Sequence, residues 1–506
     1  MSSSKRIAKN TLFLYARMFF TMGVTLYTSR VVLNTLGVSD YGAYSVIGGV
    51  VATFGFFRMA MASATQRFLS FEIGTGNLTK LKQTFCATVN IHLGIAVLIL
   101  LLAETIGLWF VNHRLNIDHG RMEAVNWVYQ FSIFSFMVSV VQVPYNALII
   151  ARERMNVYAS YSIIEVLLKL AIVYLLVISP YDKLKTYAVL MFGVTVLIAL
   201  MYRIYCIRHF RESKYKFYYN ADLYRTLMSY SGWSLFGNIA AVARVQGSNI
   251  ILNLFFGTAI NAAYGITSQI NSTTKLFVSN FQAALNPQII KSYAQRDFKQ
   301  NHKLIFQGAK LSFFLLFLIV CPIWFNIDFI LKVWLKNPPE YTSIFVQLAL
   351  INLLIDCISG PLMIGIQATG KIKWYQIVVG LFILSDLPIT YYLIKEYNEP
   401  ILSYVVTTTI TFFSLFLRLY FLKKDVLVNI FSFFKQVLLK VILVVFLCML
   451  LGIYAMDLFM TGDGWIRLII SSVFITTINM LVIIMVGLSK NEVNFFKNLI
   501  VSKIKK

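Results

Sequence analysis

Long apolar stretches separated by short polar connections run through the chain. Leu468–Ser489 carries no charge over 22 residues, Pro400–Leu417 none over 18, and Leu311–Ile327 none over 17. A helix of about 20 apolar residues, rising about 1.5 Å per residue, crosses a hydrocarbon core about 30 Å thick. The pattern therefore predicts an all-α polytopic membrane protein with about 14 transmembrane helices.

The predicted spans follow one another with short connections. In residue numbers they cover 11–36, 41–65, 84–111, 124–149, 158–179, 185–207, 228–256, 259–284, 306–333, 342–368, 373–395, 400–421, 437–459 and 465–488. Two mixed-charge segments, Arg67–Lys82 and Gln288–Lys303, are amphipathic and predict helices lying on the membrane surface.

Basic residues alternate between the two sides of these spans. The formal net charge is +24, and of the 45 Lys and Arg residues 31 fall on one side, eight on the other and six inside spans. Cytoplasmic loops carry the excess of Lys and Arg, so both termini are expected in the cytoplasm. The hydropathy makes nucleic acid an unexpected partner for this charge.

Targeting and redox signals are weak. The first apolar stretch is longer than a signal-peptide core, so it predicts a retained helix. The five cysteines are scattered, which predicts neither disulfides nor a metal site. They are Cys86, Cys206, Cys321, Cys357 and Cys448.

The sequence repeats itself. The segment Ser29–Asn34 recurs at Ser248–Asn253, Ala43-Tyr44 recurs at Ala263-Tyr264, and Pro144, Ala151 and Tyr158 recur at Pro361, Ala368 and Tyr375. The unit contains six spans, so both copies share one orientation, with a pseudo-two-fold axis along the membrane normal. The expected organisation is an N-lobe at 1–220, a C-lobe at 221–425, and two extra helices with a tail at 426–506.

Four spans carry unusual polarity at membrane depth. Spans 1, 2, 7 and 8 are repeat partners, and span 8 holds the polar run Thr267–Lys275, which includes Gln269 and Asn271. Polar groups in hydrocarbon are costly unless they face protein or water. These four spans are therefore predicted to wall a hydrated cavity between the lobes, where Gln269 and Asn271 contact the substrate.

The same four spans carry five of the six intramembrane cations and no deep acidic residue. The five are Arg17, Arg30, Arg58, Arg244 and Lys275. Such a cavity favours an anion, and the planar guanidinium fork suits phosphate. The alternative is that a cation near a helix end has no binding role and extends its charged group to the membrane–water interface. This is the preferred interpretation for Arg30.

Three further charged residues lie inside spans. Glu165 and the sixth cation, Lys169, are four residues apart, a spacing that favours an intrahelical ion pair. The repeat maps Lys169 onto Asp386, which precedes Pro388. An intramembrane carboxylate beside proline is a candidate proton or cation site, although a structural partner is the favoured interpretation.

Catalytic and nucleotide-binding motifs are missing from the sequence. It contains no Walker loop, HExxH or Ser/His/Asp constellation, and the five histidines are dispersed. The expectation is a non-enzymatic transporter that uses neither ATP nor a cofactor. A membrane-embedded polymerase or ligase would need a larger outward loop than any predicted here.

The segment from Arg30 to Tyr44, with its Leu36-Gly37 and Tyr41-Gly42-Ala43-Tyr44, resembles polysaccharide transporters, the O-antigen and capsule repeat-unit flippases. These belong to the multidrug/oligosaccharidyl-lipid/polysaccharide (MOP) exporter superfamily. Pro144–Tyr158 is similar to the turn between that family's helices 4 and 5. The resemblance implies the MATE/MOP fold, alternating access without ATP, and a cationic cavity. By analogy with lipid II flippases, the two extra helices would hold a polyprenyl tail.

The functional expectation is a flippase in the bacterial inner membrane. Its expected substrate is a polyprenyl (undecaprenyl) diphosphate-linked oligosaccharide for cell-surface polysaccharides, including lipopolysaccharide, and its expected partners are membrane lipids and polysaccharide polymerase or assembly proteins. A lipid II flippase is the first alternative. The second is a cation-coupled multidrug exporter, which predicts an acidic cavity.

Overall fold

The computed structural model describes residues 3–114, 119–458 and 464–494, and these residues form an all-helical fold. No strand occurs within those ranges. The helices are α1 Ser3–Ala52, α2 Gly55–Thr75, α3 Leu78–Leu102, α4 Leu108–Arg114, α5 Met122–Ala151, α6 Met155–Ile178, α7 Lys183–His209, α8 Ala221–Ala294, α9 Phe298–Phe325, α10 Ile327–Leu335, α11 Thr342–Ala368, α12 Lys373–Leu384, α13 Asp386–Tyr397, α14 Leu402–Val426, α15 Ile430–Phe433, α16 Leu439–Leu458 and α17 Trp465–Val482.

The helices reproduce the predicted membrane spans. Among the described residues, 11 helical segments are long and apolar enough to cross a membrane. One of them, α8, has 74 residues and contains predicted spans 7 and 8. Counting α8 twice and adding the two spans held by α1 and α2 gives the predicted 14. The chain is therefore a multi-pass membrane protein.

The internal repeat is visible in the backbone. Gly37 inside α1 has φ 81° and ψ 166°, and Gly257 inside α8, 220 residues later, has φ 72° and ψ −164°. Only glycine adopts such positive φ values without a steric cost, so each residue lets the chain turn between two long helices. The predicted boundaries between spans 1 and 2 and between spans 7 and 8 fall at these two kinks.

An aromatic pair also recurs at the repeat offset. Tyr44 packs edge-on against Tyr187 with ring centroids 5.0 Å apart. Tyr264 packs against Tyr404 at 5.6 Å. In each case the tyrosine of the repeated Ala-Tyr pair lies after the glycine kink and anchors its helix to the sixth span of its own half.

The described residues divide into two compact units. One is Ile7–Asn238, here called the N-terminal unit, and the other is Ile239–Lys506 together with Met1–Arg6, here called the C-terminal unit. In the N-terminal unit α5 packs against α2, α3 and α7. Phe85 and Tyr145 meet edge-on at 5.3 Å inside this core.

A charged clasp joins three segments of the N-terminal unit. Arg121 Nε donates to Asp40 Oδ1 at 2.9 Å, and Arg121 Nη1 donates to Asp182 Oδ2 at 2.6 Å. Asp182 also caps α7 by accepting the Lys185 N–H at 3.0 Å. Burial pushes the pKa of Asp182 up, but the hydrogen bonds from the Lys185 N–H and from Arg121 outweigh it and hold that pKa below its usual value.

The last two predicted spans pack onto α9 in the C-terminal unit. Phe306 contacts Phe433 at 5.3 Å, and Ser471 Oγ donates to Asn326 Oδ1 at 3.1 Å. Lys310 Nζ donates to Glu492 Oε2 at 2.7 Å, and both side chains are only 7% exposed. This buried ion pair fastens the segment after α17 to the middle of the unit.

The prediction of two separate surface helices is wrong. The segment Arg67–Lys82 is the end of α2, a turn at Gly76, and the start of α3, where Asn77 Oδ1 accepts the Lys80 N–H at 2.9 Å. The segment 288–303 has the same design, with Asp297 capping α9. A left-handed residue followed by an Asn or Asp cap reverses the chain within a few residues, which the amphipathic pattern did not reveal.

Candidate substrate path

The five cations predicted for the path lie in the described part of both units, and their surroundings differ. Arg17 belongs to the N-terminal unit, on the first half of α1. Its guanidinium carbon lies 4.7 Å from the centre of the Tyr158 ring, and its buried Nε has no hydrogen-bond partner among the described residues. Stacking on the ring orients the guanidinium while leaving N–H groups available for a ligand.

Arg30 and Arg58 are exposed, and neither makes an ion pair or a hydrogen bond with the described residues. Arg58 lies in the first turn of α2, directly after a break in the helix at Thr53 and Phe54. Phe54 gives no side-chain cap to α2. The Phe57 N–H of that turn donates to the Phe54 carbonyl at 3.2 Å, so the Arg58 guanidinium is the main positive group there.

Arg244 belongs to the C-terminal unit and is half-buried on α8. Its Nη1 donates to Thr411 Oγ1 on α14 at 3.3 Å. A neutral hydroxyl orients the guanidinium without neutralising it. Asp356 and Asp386 also lie within electrostatic reach of Arg244, but neither forms an ion pair with it, so most of its donors stay open to another acceptor.

Lys275 differs from the four arginines because a carboxylate lies within ion-pair distance of it. Its Nζ lies 3.4 Å from Asp356 Oδ2 on α11, with the lysine side chain 58% exposed. The other carboxylate oxygen of Asp356 lies 3.8 Å from Nη1 of Arg418, whose side chain is 6% exposed. The expectation of a counter-ion-free path therefore fails at Lys275, because the acid comes from the tenth span rather than from spans 1, 2, 7 and 8.

The polar run of α8 contributes further groups. Gln269 is exposed, and the Oδ1 of Asn271 is buried without a hydrogen-bond partner in the described ranges. Closer to the Gly257 kink, Asn253 donates to Asn261 Oδ1 at 2.8 Å, and Asn261 donates to the Asn249 carbonyl at 2.9 Å. These asparagines tie together the two arms of the kink.

Asp386 is fully buried in the C-terminal unit. It lies directly after the break between α12 and α13, which splits predicted span 11. Thr390 Oγ1 donates to its Oδ1 at 2.9 Å, and Thr407 Oγ1 donates to its Oδ2 at 2.8 Å. Both carboxylate oxygens thus have hydroxyl donors, and no ion pair to Asp386 occurs among the described residues.

Glu165 and Lys169 belong to the N-terminal unit. Lys169 Nζ donates to Glu165 Oε1 at 2.6 Å, one turn away on α6. Their mutual neutralisation leaves them little charge to offer a ligand. Within the described ranges no group of three or more His, Cys, Asp or Glu side chains is placed to hold a metal ion.

The sequence identified the candidate cations but not the side chains that contact them. Thr411, Asp356 and Tyr158 lie on other helices, 81 or more residues away from the cations they contact, and Arg418 lies 62 residues from Asp356. No periodicity within one helix encodes such a contact. A signal did exist for Asp356 and Arg418, since each is a charged residue within or at the edge of a predicted span.

Comparison with known proteins places the chain in a fold group. Residues 234–392 match the MatE family model. No curated protein sequence matches the chain significantly.

Several solved structures share the fold. An outward-facing multidrug resistance MATE family transporter of the MOP superfamily is 11% identical, with a TM-score of 0.69 over 83% of this chain and 96% of that one. The MATE transporter ClbM, solved in complex with Rb⁺, is 17% identical, with a TM-score of 0.66 over 83% of this chain and 94% of that one. A MOP superfamily transporter from Pyrococcus furiosus, described as having a binding pocket of reverse polarity, is 11% identical, with a TM-score of 0.67 over 83% and 96%.

These likenesses agree with the helix count and with the repeated glycine kinks. The chain is a multi-pass membrane protein with the fold of the MATE transporters, and its residues 234–392 match the MatE family model.

Proposed function

We propose that the protein is a flippase that moves a polyprenyl-diphosphate-linked oligosaccharide from the cytoplasmic to the outer leaflet by alternating access. The observation that carries this proposal is the set of four arginines, Arg17, Arg30, Arg58 and Arg244, none of which forms an ion pair among the described residues, although Asp356 and Asp386 lie within electrostatic reach of Arg244. Charged side chains inside membrane proteins are expensive and are kept where they serve a function. An anionic group on the substrate would supply the ion-pair partner that these arginines lack.

The geometry at individual arginines favours a phosphate over a simple halide. Arg17 stacks on Tyr158, and Arg244 is held by one hydroxyl, so each presents a planar fork with free donors. A planar guanidinium binds two phosphate oxygens at once. Arg58 is exposed and makes no ion pair with the described residues, so its fork is also open to phosphate.

Polar groups beside the cations suit a sugar. Gln269 and Asn271 lie on the same helix as Lys275, and the Asn271 carbonyl oxygen is buried with no donor among the described residues. Amide side chains both donate and accept, which matches the hydroxyl groups of an oligosaccharide. A lipid II flippase would use the same groups and remains the alternative within this class of function.

A cation-coupled multidrug exporter is the second candidate, and Asp386 is the observation that favours it. A fully buried carboxylate whose hydrogen-bond donors are two hydroxyls is a group that a proton or a sodium ion could neutralise. Its two threonine donors also satisfy it structurally. We favour the flippase because the unpaired charges are predominantly basic.

The test is transport by the full-length protein in liposomes. Three probes are compared: a polyprenyl-diphosphate oligosaccharide with a fluorescent sugar, a fluorescent lipid II, and a fluorescent organic cation. Protein-dependent movement of the first probe, measured as loss of protection from an external quencher, supports the proposal. Movement of the organic cation alone, with dependence on a sodium or proton gradient, would replace it with the exporter.

A further inference from the structure

A groove in the N-terminal unit has none of the five proposed path cations among its lining residues. It has a volume of about 460 Å³ and is enclosed by α3, α5, α7 and the segment that follows α7. Ligand sites in proteins span about 300–1,000 Å³, so the groove has the capacity of a binding site. Leu93 and Leu200 line it and are 43% and 49% exposed, so it opens onto the surface of the protein.

Polarity changes along the length of the groove. One end is apolar, with Leu93, Met137, Val141, Val196, Ala199 and Leu200 in its wall. The other end carries Gln142, Arg203 and Tyr215. The groove therefore suits an amphiphilic molecule, because its apolar channel leads to a single positive charge.

The groove has the depth of one leaflet. It extends from Met137 to Tyr145 on α5 and from Val196 to Arg203 on α7, seven to eight residues or about 10–12 Å of helix. Half of a hydrocarbon core is about 15 Å. Since the basic segment 203–225 marks the cytoplasmic side, the cationic end lies toward the cytoplasmic headgroups and the apolar end toward the bilayer centre.

The cation at the groove mouth is available. Arg203 is exposed and makes no hydrogen bond or ion pair with the described residues. Its neighbours are satisfied elsewhere: Gln142 donates to Asn146 Oδ1 at 3.3 Å, and Tyr215 donates to Asn90 Oδ1 at 2.7 Å. None of the groove's lining residues is acidic, so nothing in its wall would pair with the amine of a zwitterionic headgroup.

We propose that this groove binds one anionic glycerophospholipid of the cytoplasmic leaflet, with an acyl chain in the apolar channel and the headgroup phosphate on Arg203. The depth of a single leaflet matches one acyl chain, and the lone cation matches one phosphate. The site is independent of the transport substrate, so the proposal does not rest on the proposed function.

The experiment is native mass spectrometry of the full-length protein, equilibrated in detergent with equal amounts of phosphatidylglycerol and phosphatidylcholine. The wild type is expected to retain one phosphatidylglycerol with about a tenfold preference, because phosphatidylcholine adds a cationic choline that would lie near Arg203 with no acidic partner in the wall. Arg203→Gln should reduce that preference to about one. Ala199→Phe fills the channel and should remove the retained lipid.

The controls lie on the same helix outside the groove. Arg208→Gln removes another exposed basic residue of α7, and Leu197→Phe enlarges another exposed apolar residue. Both should bind lipid as the wild type does. Equal phosphatidylglycerol preference in Arg203→Gln and the wild type, or equal loss in Arg208→Gln, would overturn the headgroup assignment.

Separate results would contradict the placement of an acyl chain in the apolar channel. Ala199→Phe binding as the wild type does, or Leu197→Phe losing lipid to the same extent, would show that the channel is not the site. Displacement of the retained phosphatidylglycerol by an equimolar polyprenyl phosphate would assign the groove to that lipid instead and overturn the proposed occupant.

Discussion

Replacing Asp356 by Asn should strengthen the binding of a diphosphate, because it releases Lys275. The two groups are 3.4 Å apart. At an effective dielectric constant of about 20, the attraction between unit charges at this distance is about 5 kcal/mol. Lys275 is 58% exposed, so solvent screening and side-chain entropy reduce the net value to about 1 kcal/mol.

An anionic ligand that binds Lys275 must first replace this interaction. Removing the carboxylate should therefore tighten the binding of farnesyl diphosphate by about fivefold, the factor that corresponds to about 1 kcal/mol. The assay is a titration of the full-length protein in nanodiscs, followed by isothermal calorimetry. Asp328→Asn removes an exposed carboxylate on α10 and should leave the affinity unchanged.

The double variant Asp356→Asn/Lys275→Gln should lose the gain in affinity for farnesyl diphosphate, because it lacks the lysine that the first substitution releases. Asp356 also faces the buried Arg418, so the melting temperature of each variant must be measured alongside the titration. An unchanged or weaker affinity in a folded Asp356→Asn variant would refute the reasoning. A gain that persists in the double variant would refute it as well.

The remaining predictions concern the ion pairs and the buried carboxylate. Lys310→Met should lower stability by about 3–5 kcal/mol, because it leaves Glu492 buried without a counter-ion, and Lys310→Met/Glu492→Gln should recover part of that loss in thermal unfolding. Asp386→Asn should keep transport and its ion dependence within about twofold if the residue is structural, because one threonine hydroxyl still donates to the amide oxygen and the other can accept from the amide N–H; loss of sodium or pH dependence would contradict this and support the exporter. Arg121→Gln should lower the melting temperature at neutral pH. Because the folded-state pKa of Asp182 is depressed, the carboxylate contributes to stability above its unfolded pKa of about 3.9, and this contribution is lost as pH falls through the folded-state pKa. The melting temperatures of the wild type and Arg121→Gln should therefore converge as pH falls below about 4. A difference that stays constant with pH would contradict the assignment.

The helices could be predicted because their cause is local. An uncharged run such as Leu468–Ser489 can satisfy its backbone in a membrane only as a helix. The two glycine kinks are also encoded locally, since Gly37 and Gly257 end apolar stretches at equivalent points of the repeat. The prediction of a separate surface helix over Arg67–Lys82 was wrong because periodicity shows a polar face but does not show the turn at Gly76 that divides the segment.

The candidate site could be predicted only in part, for a physical reason. Composition and depth single out the cations, but their electrostatic state depends on helices distant in sequence. Asp356 joins Lys275 across 81 residues, and Thr411 joins Arg244 across 167. The pairing of Glu165 with Lys169 depends on a single helical turn, and spacing alone was enough to suggest it.

The most direct test of the account is transport of a fluorescent polyprenyl-diphosphate oligosaccharide in liposomes by the wild type and by Arg17→Ala/Arg58→Ala/Arg244→Ala. A matched control, Arg208→Ala/Lys423→Ala/Lys490→Ala, removes three exposed basic residues outside the proposed path. The account predicts that the first triple variant is folded and inactive, while the control transports as the wild type does. Full transport by the folded first variant would contradict the claim that these arginines bind the diphosphate.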